Sequence, residues 1–259
     1  MITSPSNPTL KLVRALQSQR KAREKEQSFV IEGVRLVEDA IRAEAPVKLV
    51  LHTDDLDARG RAALNQLARL GAQVEAVSPK VMAAASDTQT PQGLLAVLPL
   101  PSSFILYPAA FSFALVLDRL SDPGNLGTLL RTADAAGAEA VFLAPGTVDA
   151  HNPKVVRAAM GAHFHLPITE RTWDELAELL TQVEVWLAEA RDGEPYDRVD
   201  WRAPFALIIG SEAEGPSDAA RRFTPKRVHI PMPGRAESLN AAVAAGVLLF
   251  EAARQRRSS

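Results

Sequence analysis

Short apolar runs alternate with amphipathic stretches through the first hundred residues. FVIEG, VKLVLHT, AQVEAVS and GLLAVL, the last ending at Leu98, read as strands. VRLVEDAIRA, the segment from Asp55 to Leu70 stopped by Gly71, and SPKVMAAASD read as the intervening helices. This alternation predicts a small α/β domain. Ahead of it, SPSNPTLKLVRALQSQRKAREKEQ predicts one helix, capped by Ser6 or Asn7 with Pro8 in its first turn. Leu10, Val13, Leu16 and Gln17 give that helix a narrow face toward its own domain, and the rest is charged.

LPLPSSFILYP, from Leu98 to Pro108, breaks the pattern with three prolines and two serines. It reads as a stiff linker between domains over residues 1–100 and 109–259. In the second domain FALVLD ends at Asp118, the polar loop RLSDPGN follows, and LGTLLRTADAAG predicts a helix closed by Gly137. AVFLA is the next strand. A loop, a short helix and a strand fill PGTVDAHNPKVVRAAMGAHFHLPITE. Trp173 to Leu180 is a helix, VEVWLAEA a strand, FALIIG (Phe205–Gly210) a strongly apolar strand, and Pro216 to Phe223 a short helix. RVHIPM is a strand, and AAVAAGVLLFEAARQRR a long closing helix. The pattern predicts a parallel sheet with helices on both faces.

Composition narrows the function classes. At 259 residues and 47% apolar, the chain supports a sizeable core. The formal charge of −2 hides local clusters: Lys11, Arg14, Arg20, Lys21, Arg23 and Lys25; Arg221, Arg222, Lys226 and Arg227; Arg254, Arg256 and Arg257. Such groups can follow a phosphate backbone or be a solvated helix face. The absence of cysteine excludes disulfides, thiolate zinc sites and a cysteine nucleophile. His163 and His165, read as alternating along a strand, point to opposite faces and make no metal set. The N-terminus has no apolar stretch suited to a signal peptide, and no run reaches a membrane span, so a cytoplasmic protein is expected.

Three polar loops each follow an apolar strand: SDPGN, GSEAEG (Gly210 to Gly215) and PMPGRAESLN (Pro231 to Asn240). At the carboxyl edge of one parallel sheet they would line one crevice. Leu126, Leu129, Leu130 and Ala133 form one helical stripe. Arg131 lies about 140° from Leu126, off that stripe and near the loop carrying Asn125. No G-x-G-x-x-G occurs, and Pro216 stands where a P-loop would need lysine, so dinucleotide binding and ATP hydrolysis lack support. Ser211 lacks the frame of a hydrolase elbow. Ser238 reads as the N-cap of the closing helix.

DPGNLGTLLRTA, GSEAEG and IPMPGRAESLNAAVAA resemble, in order and spacing, the three signature motifs of the SpoU (TrmH-like) RNA 2′-O-ribose methyltransferases. The resemblance covers about Phe113 to Arg254, and SNPTLK with FVIEG is similar to the substrate-binding domain many members carry. It implies a deep trefoil knot, which periodicity would not have proposed, and a homodimer with its active site near the interface. It implies S-adenosylmethionine as methyl donor, held by backbone at Gly210, Ile230, Met232 and Leu239. Arg131 matches the family's catalytic arginine, as a general base or as a clamp for an RNA phosphate. Asn125 and Glu212 would hold Arg131 and the loop geometry, and Ser238 and Asn240 would order the third loop and contact substrate. No metal or membrane is implied. The two-domain layout favours ribosomal RNA over transfer RNA. A catalytically silent RNA-binding or assembly factor on the same scaffold is the rival reading; keeping Asn125, Arg131, Glu212, Ser238 and Asn240 together argues against it.

Overall fold

The computed structural model describes residues 1–4, 6–101 and 111–257. Residues 102–110, covering most of the expected linker and the expected start of the second domain, lie outside the described residues. The chain forms two compact units, Met1–Ser102 with His151–Phe164 and Ser103–Ala150 with His165–Ser259. The expected boundary did not anticipate that residues 151–164 group with the first unit.

The first unit begins with α1 (Pro8–Ser18) and α2 (Arg20–Glu26), not the single helix the sequence predicts. Asn7 caps α1 through Thr9 N at 2.8 Å. The break falls at Gln19, whose φ of −128° is extended. Arg23 is the physical reason the second turn cannot continue as a solvated face: it is buried, and its Nη1 donates to the Leu16 carbonyl at 2.5 Å. One member of the basic cluster therefore closes the carboxyl end of α1.

The remaining elements are β1 (Ser28–Glu32), α3 (Val34–Arg42), β2 (Leu49–His52), α4 (Ala58–Arg69), β3 (Gln73–Ala76), α5 (Pro79–Ala85) and β4 (Leu94–Pro99). The sheet order is β1-β4-β2-β3, with β4 antiparallel to both neighbours and β2 parallel to β3. Period-two alternation divides the core. Phe29, Ile31, Val50, Leu94 and Ala96 pack with Leu36, Val37 and Leu67 of α3 and α4. Val30, Leu49, Leu51, Leu95 and Val97 pack with α1 and α5.

The second unit's strands and helices are β5 (Phe113–Leu117), α6 (Pro123–Ala136), β6 (Ala140–Leu143), then, after α7 (Pro153–Ala159) of the first unit, β7 (Ile168–Glu170), α8 (Trp173–Leu179) and β8 (Glu184–Ala188). They continue as β9 (Glu194–Pro195), β10 (Phe205–Ile209), α9 (Asp218–Phe223), β11 (Arg227–His229) and α10 (Ala241–Arg257). Val156 of α7 joins the α3–α4 core. His163 sits in a short 3-10 turn, Ala162–Phe164, rather than on a strand, and its ring is buried beside Phe29 at 6.2 Å. The histidine alternation expected there does not exist.

Seven strands run in the order β7-β6-β5-β10-β8-β11-β9, and every pairing is parallel. β5 and β10 are buried at every position, as strands covered on both faces must be. Ala114, Val116, Phe142, Ala206 and Ile208 face α8 and α9. On the other face the Phe113 and Phe205 rings lie 4.9 Å apart, and the Arg256 guanidinium of α10 sits over Phe113. The two-residue edge strand β9 was not predicted; two residues carry no periodicity. No helix among the described residues is long and apolar enough to cross a membrane.

Candidate active site

The first loop is shorter than the sequence predicts. Asp122 caps α6 by accepting from Asn125 N at 2.7 Å, and Pro123 occupies the first turn. Asn125 is therefore the third residue of the helix, not a loop residue. Gly137 closes α6 in the left-handed region at φ 83°, as expected.

The second loop turns back sharply after β10. Ser211 and Gly215 pair across it, and a Cβ on Gly210 would meet Pro216 N at 2.4 Å, so only glycine fits there. Two consecutive residues after β5 grip this loop. Asp118 is fully buried; its Oδ2 accepts from Ser217 N at 2.6 Å and its Oδ1 from Ser217 Oγ at 3.1 Å. Arg119 forms an ion pair with Glu214. Ser217 in turn caps α9, which begins at Asp218, two residues later than predicted. Sequence reasoning missed Asp118 as a functional position, although an acid ending an otherwise apolar strand was a usable signal.

The third loop leads into α10. The cap of that helix is Asn240, not Ser238: Asn240 Oδ1 accepts from Ala242 N at 2.9 Å and Val243 N at 3.3 Å. Ser238 is exposed two residues earlier. The side-chain amide of Asn240 reaches the start of α6, where its Nδ2 donates to Asn125 Oδ1 at 3.1 Å. Asn125 Nδ2 then donates to Glu212 Oε1 at 2.7 Å. Three residues, one from each motif, form a single directed chain.

This chain corrects one expected role. Asn125 and Glu212 hold each other and Asn240, and Arg131 is exposed with no hydrogen-bond or ion-pair partner among the described residues. Leu126, Leu129, Leu130 and Ala133 are all buried, so the helical count places Arg131 correctly.

A cavity of ≈ 260 Å³ lies at the carboxyl edge of the sheet. All four expected donor-binding residues, Gly210, Ile230, Met232 and Leu239, line it, together with Glu212 and Ser238. Its size is close to the lower end for small-molecule sites, about 300–1,000 Å³. Most of the lining residues are small or apolar, among them Ala188, Gly210, Ile230, Met232 and Leu239, and Glu189 and Glu212 bring acidic groups. His229 supplies a further polar group, and its buried Nδ1 has no partner among the described residues.

The basic clusters separate on inspection. Lys226 pairs with Glu184 at 2.7 Å, Arg227 donates to the carbonyls of Arg221 and Thr224, and Arg254 pairs with Glu251. Arg256 donates to Ser112 O at 3.2 Å. Most of these cations serve the fold. Lys11, Arg14 and Lys21 are exposed and have no protein counter-charge among the described residues.

The second and third loops line a cavity at the carboxyl edge of a parallel α/β sheet, and the first motif reaches it through the Asn125–Glu212 bond, the layout of a small-molecule site. Residues 112–250 match the SpoU rRNA Methylase family, and residues 7–96 match the MRM3-like substrate binding domain. The chain belongs to the SpoU family. It is 37% identical over 251 residues to the 23S rRNA (guanosine(2553)-2′-O)-methyltransferase RlmP of Bacillus subtilis, covering 96% of this chain and 97% of that protein. It is 33% identical over 257 residues to the 23S rRNA (uridine(2479)-2′-O)-methyltransferase of Streptomyces viridochromogenes, covering 95% and 89%. The crystal structure of the SpoU methyltransferase AviRb from Streptomyces viridochromogenes, in complex with AdoMet, superposes with a TM-score of 0.88 at 30% identity, covering 98% of this chain and 99% of that one.

Proposed function

We infer that this chain transfers a methyl group from S-adenosylmethionine to a ribose 2′-hydroxyl of ribosomal RNA. The carrying observation is the Asn240–Asn125–Glu212 chain, which links one residue of each motif and ends on Glu212 in the cavity lining. When bound, the donor would supply an electrophilic methyl on its sulfonium; in-line attack by the 2′-oxygen would break the methyl–sulfur bond, release S-adenosylhomocysteine and pass the hydroxyl proton to water. The protein's part is chiefly positioning. Gly210, Ile230, Met232 and Leu239 hold the donor. Arg131, exposed and without a side-chain partner among the described residues, serves as a clamp on an RNA phosphate and a stabiliser of the developing alkoxide. Ser238 and Asn240 order the third loop beside the substrate. Lys11, Arg14 and Lys21 give the first unit cations for the phosphate backbone. The named relatives act on a guanosine and a uridine, so the target base does not follow from family membership.

The protein also works as a homodimer in this reading, and the trefoil knot of the family belongs to it. α10 exposes Val243 (54%) and Phe250 (47%) at helical i, i+7 spacing, an apolar stripe that a second copy would cover. Mapping ribose methylation across total RNA, with and without the gene, tests the activity. A site lost in the deletion, restored by the wild-type chain and not by Arg131→Ala, is the expected result. No change at any site would favour the silent assembly factor.

A further inference from the structure

β8 and β11 are adjacent parallel strands, with Leu187 opposite Arg227 and Ala188 opposite Val228. Glu189 N continues the ladder by donating to Val228 O at 2.9 Å. One step further along this register, Glu189 lies beside His229, and parallel pairing puts both side chains on one face of the sheet. Both residues line the cavity. The Glu189 side chain is only 14% exposed, and its contacts to Arg221 are long, 3.4 Å and 3.5 Å. Arg221 spends its Nε on the Pro216 carbonyl at 3.2 Å. The carboxylate therefore keeps lone pairs for another donor, and the neighbouring His229 Nδ1 is buried without a partner among the described residues.

Such an arrangement asks for a ligand with adjacent hydroxyls. A carboxylate accepts two O–H groups of a vicinal diol side by side. An acid at the end of a parallel strand holds a nucleoside ribose in this way in dinucleotide-binding folds. Glu212, a second acid lining the cavity, already accepts from Asn125 through Oε1. We propose that Glu189, with His229 beside it, receives the ribose diol of the methyl donor and so sets the cavity's preference for a ribonucleoside. The assignment rests on the donor reading above.

Calorimetry on the full chain tests it with S-adenosylhomocysteine and its 2′-deoxy and 3′-deoxy analogues. Wild type should bind the parent about tenfold to a hundredfold more tightly than either analogue, the range for hydrogen bonds to a charged acceptor. Glu189→Gln, with an unchanged melting temperature, should weaken the parent by about the same factor and discriminate little among the three. His229→Phe should show a smaller loss in the same direction. Undiminished discrimination in Glu189→Gln overturns the assignment while leaving the methyltransferase reading intact. A loss confined to S-adenosylmethionine, sparing S-adenosylhomocysteine, also overturns it, because Glu189 would then face the sulfonium. If wild type binds neither molecule, the donor reading itself fails and takes this assignment with it.

Discussion

Asn125 and Glu212 stand 87 positions apart in the chain, and their side chains meet at 2.7 Å. The contact depends on Asn240, whose own amide is fixed by the first turn of α10 and passes its orientation to Asn125. Asn125→Ala would leave the helix start intact, because Asp122 caps it through the Asn125 backbone. Turnover should therefore fall at least tenfold while the melting temperature moves little. Asn125→Ala and Glu212→Ala should be strongly non-additive, with a coupling of about 0.5–3 kcal/mol in a double-mutant cycle of kcat/KM. Simple additivity would show that the two side chains act independently.

Asp118 holds the second loop from beneath. Replacing it by Ala removes two hydrogen bonds to a buried carboxylate and leaves Ser217 N–H without its acceptor. A loss of about 3 kcal/mol is expected from bonds of this kind. Because Ser217 ends the loop that lines the cavity, affinity for S-adenosylhomocysteine should fall too. Denaturant unfolding together with calorimetry checks both. Asp118→Asn, which keeps one acceptor, should recover part of each.

Much of this was legible in the sequence for physical reasons. The parallel sheet follows from continuous apolar runs such as those around Leu115 and Leu207, which only a doubly covered strand tolerates. The outward turn of Arg131 follows from helix geometry alone. The loops were legible as polar segments, but not their bonding. Whether Ser238 or Asn240 caps α10 depends on where the chain enters the helix, and both residue types cap well. The burial of Arg23 is a tertiary event that no local pattern records. Residues 151–164 group with the first unit, where Val156 joins the α3–α4 core and the His151 and His163 rings lie beside Phe29, a long-range packing choice.

Asp200 and Arg202 flank the buried Trp201, whose Nε1 donates to Tyr196 O at 2.9 Å. The side-chain bonds from Arg202, followed by its backbone N–H, lower the Asp200 carboxyl from 3.8 to about 2. A depressed native value means the unfolded chain takes up the proton first as pH falls. The pair's contribution is thus complete above about 3.8 and is lost as pH drops through about 2. Carboxyl NMR titration should give this low midpoint, and Arg202→Gln should return it toward 3.8. Both side chains are exposed, so 1 M salt should move the midpoint in the same direction.

Arg131 offers the sharpest separation of chemistry from folding. It is exposed on α6, off the buried stripe of Leu126, Leu129, Leu130 and Ala133, with no partner among the described residues. Arg131→Ala should therefore change stability by no more than about 0.5 kcal/mol. Donor affinity should also persist, because the cavity is lined by other residues. Methyl transfer should nonetheless fall by about a hundredfold or more, the scale of losing one donor to a developing oxyanion. Arg131→Lys separates the two roles the sequence left open. Lysine keeps the charge but loses the planar fork, so a phosphate clamp should show a raised KM for RNA with partial turnover. A base would instead yield a lysine variant whose rate climbs with pH toward the lysine's own titration. Single-turnover methylation of a ribosomal RNA fragment across pH reads both outcomes. An Arg131→Ala enzyme with wild-type transfer rates would remove Arg131 from the reaction altogether.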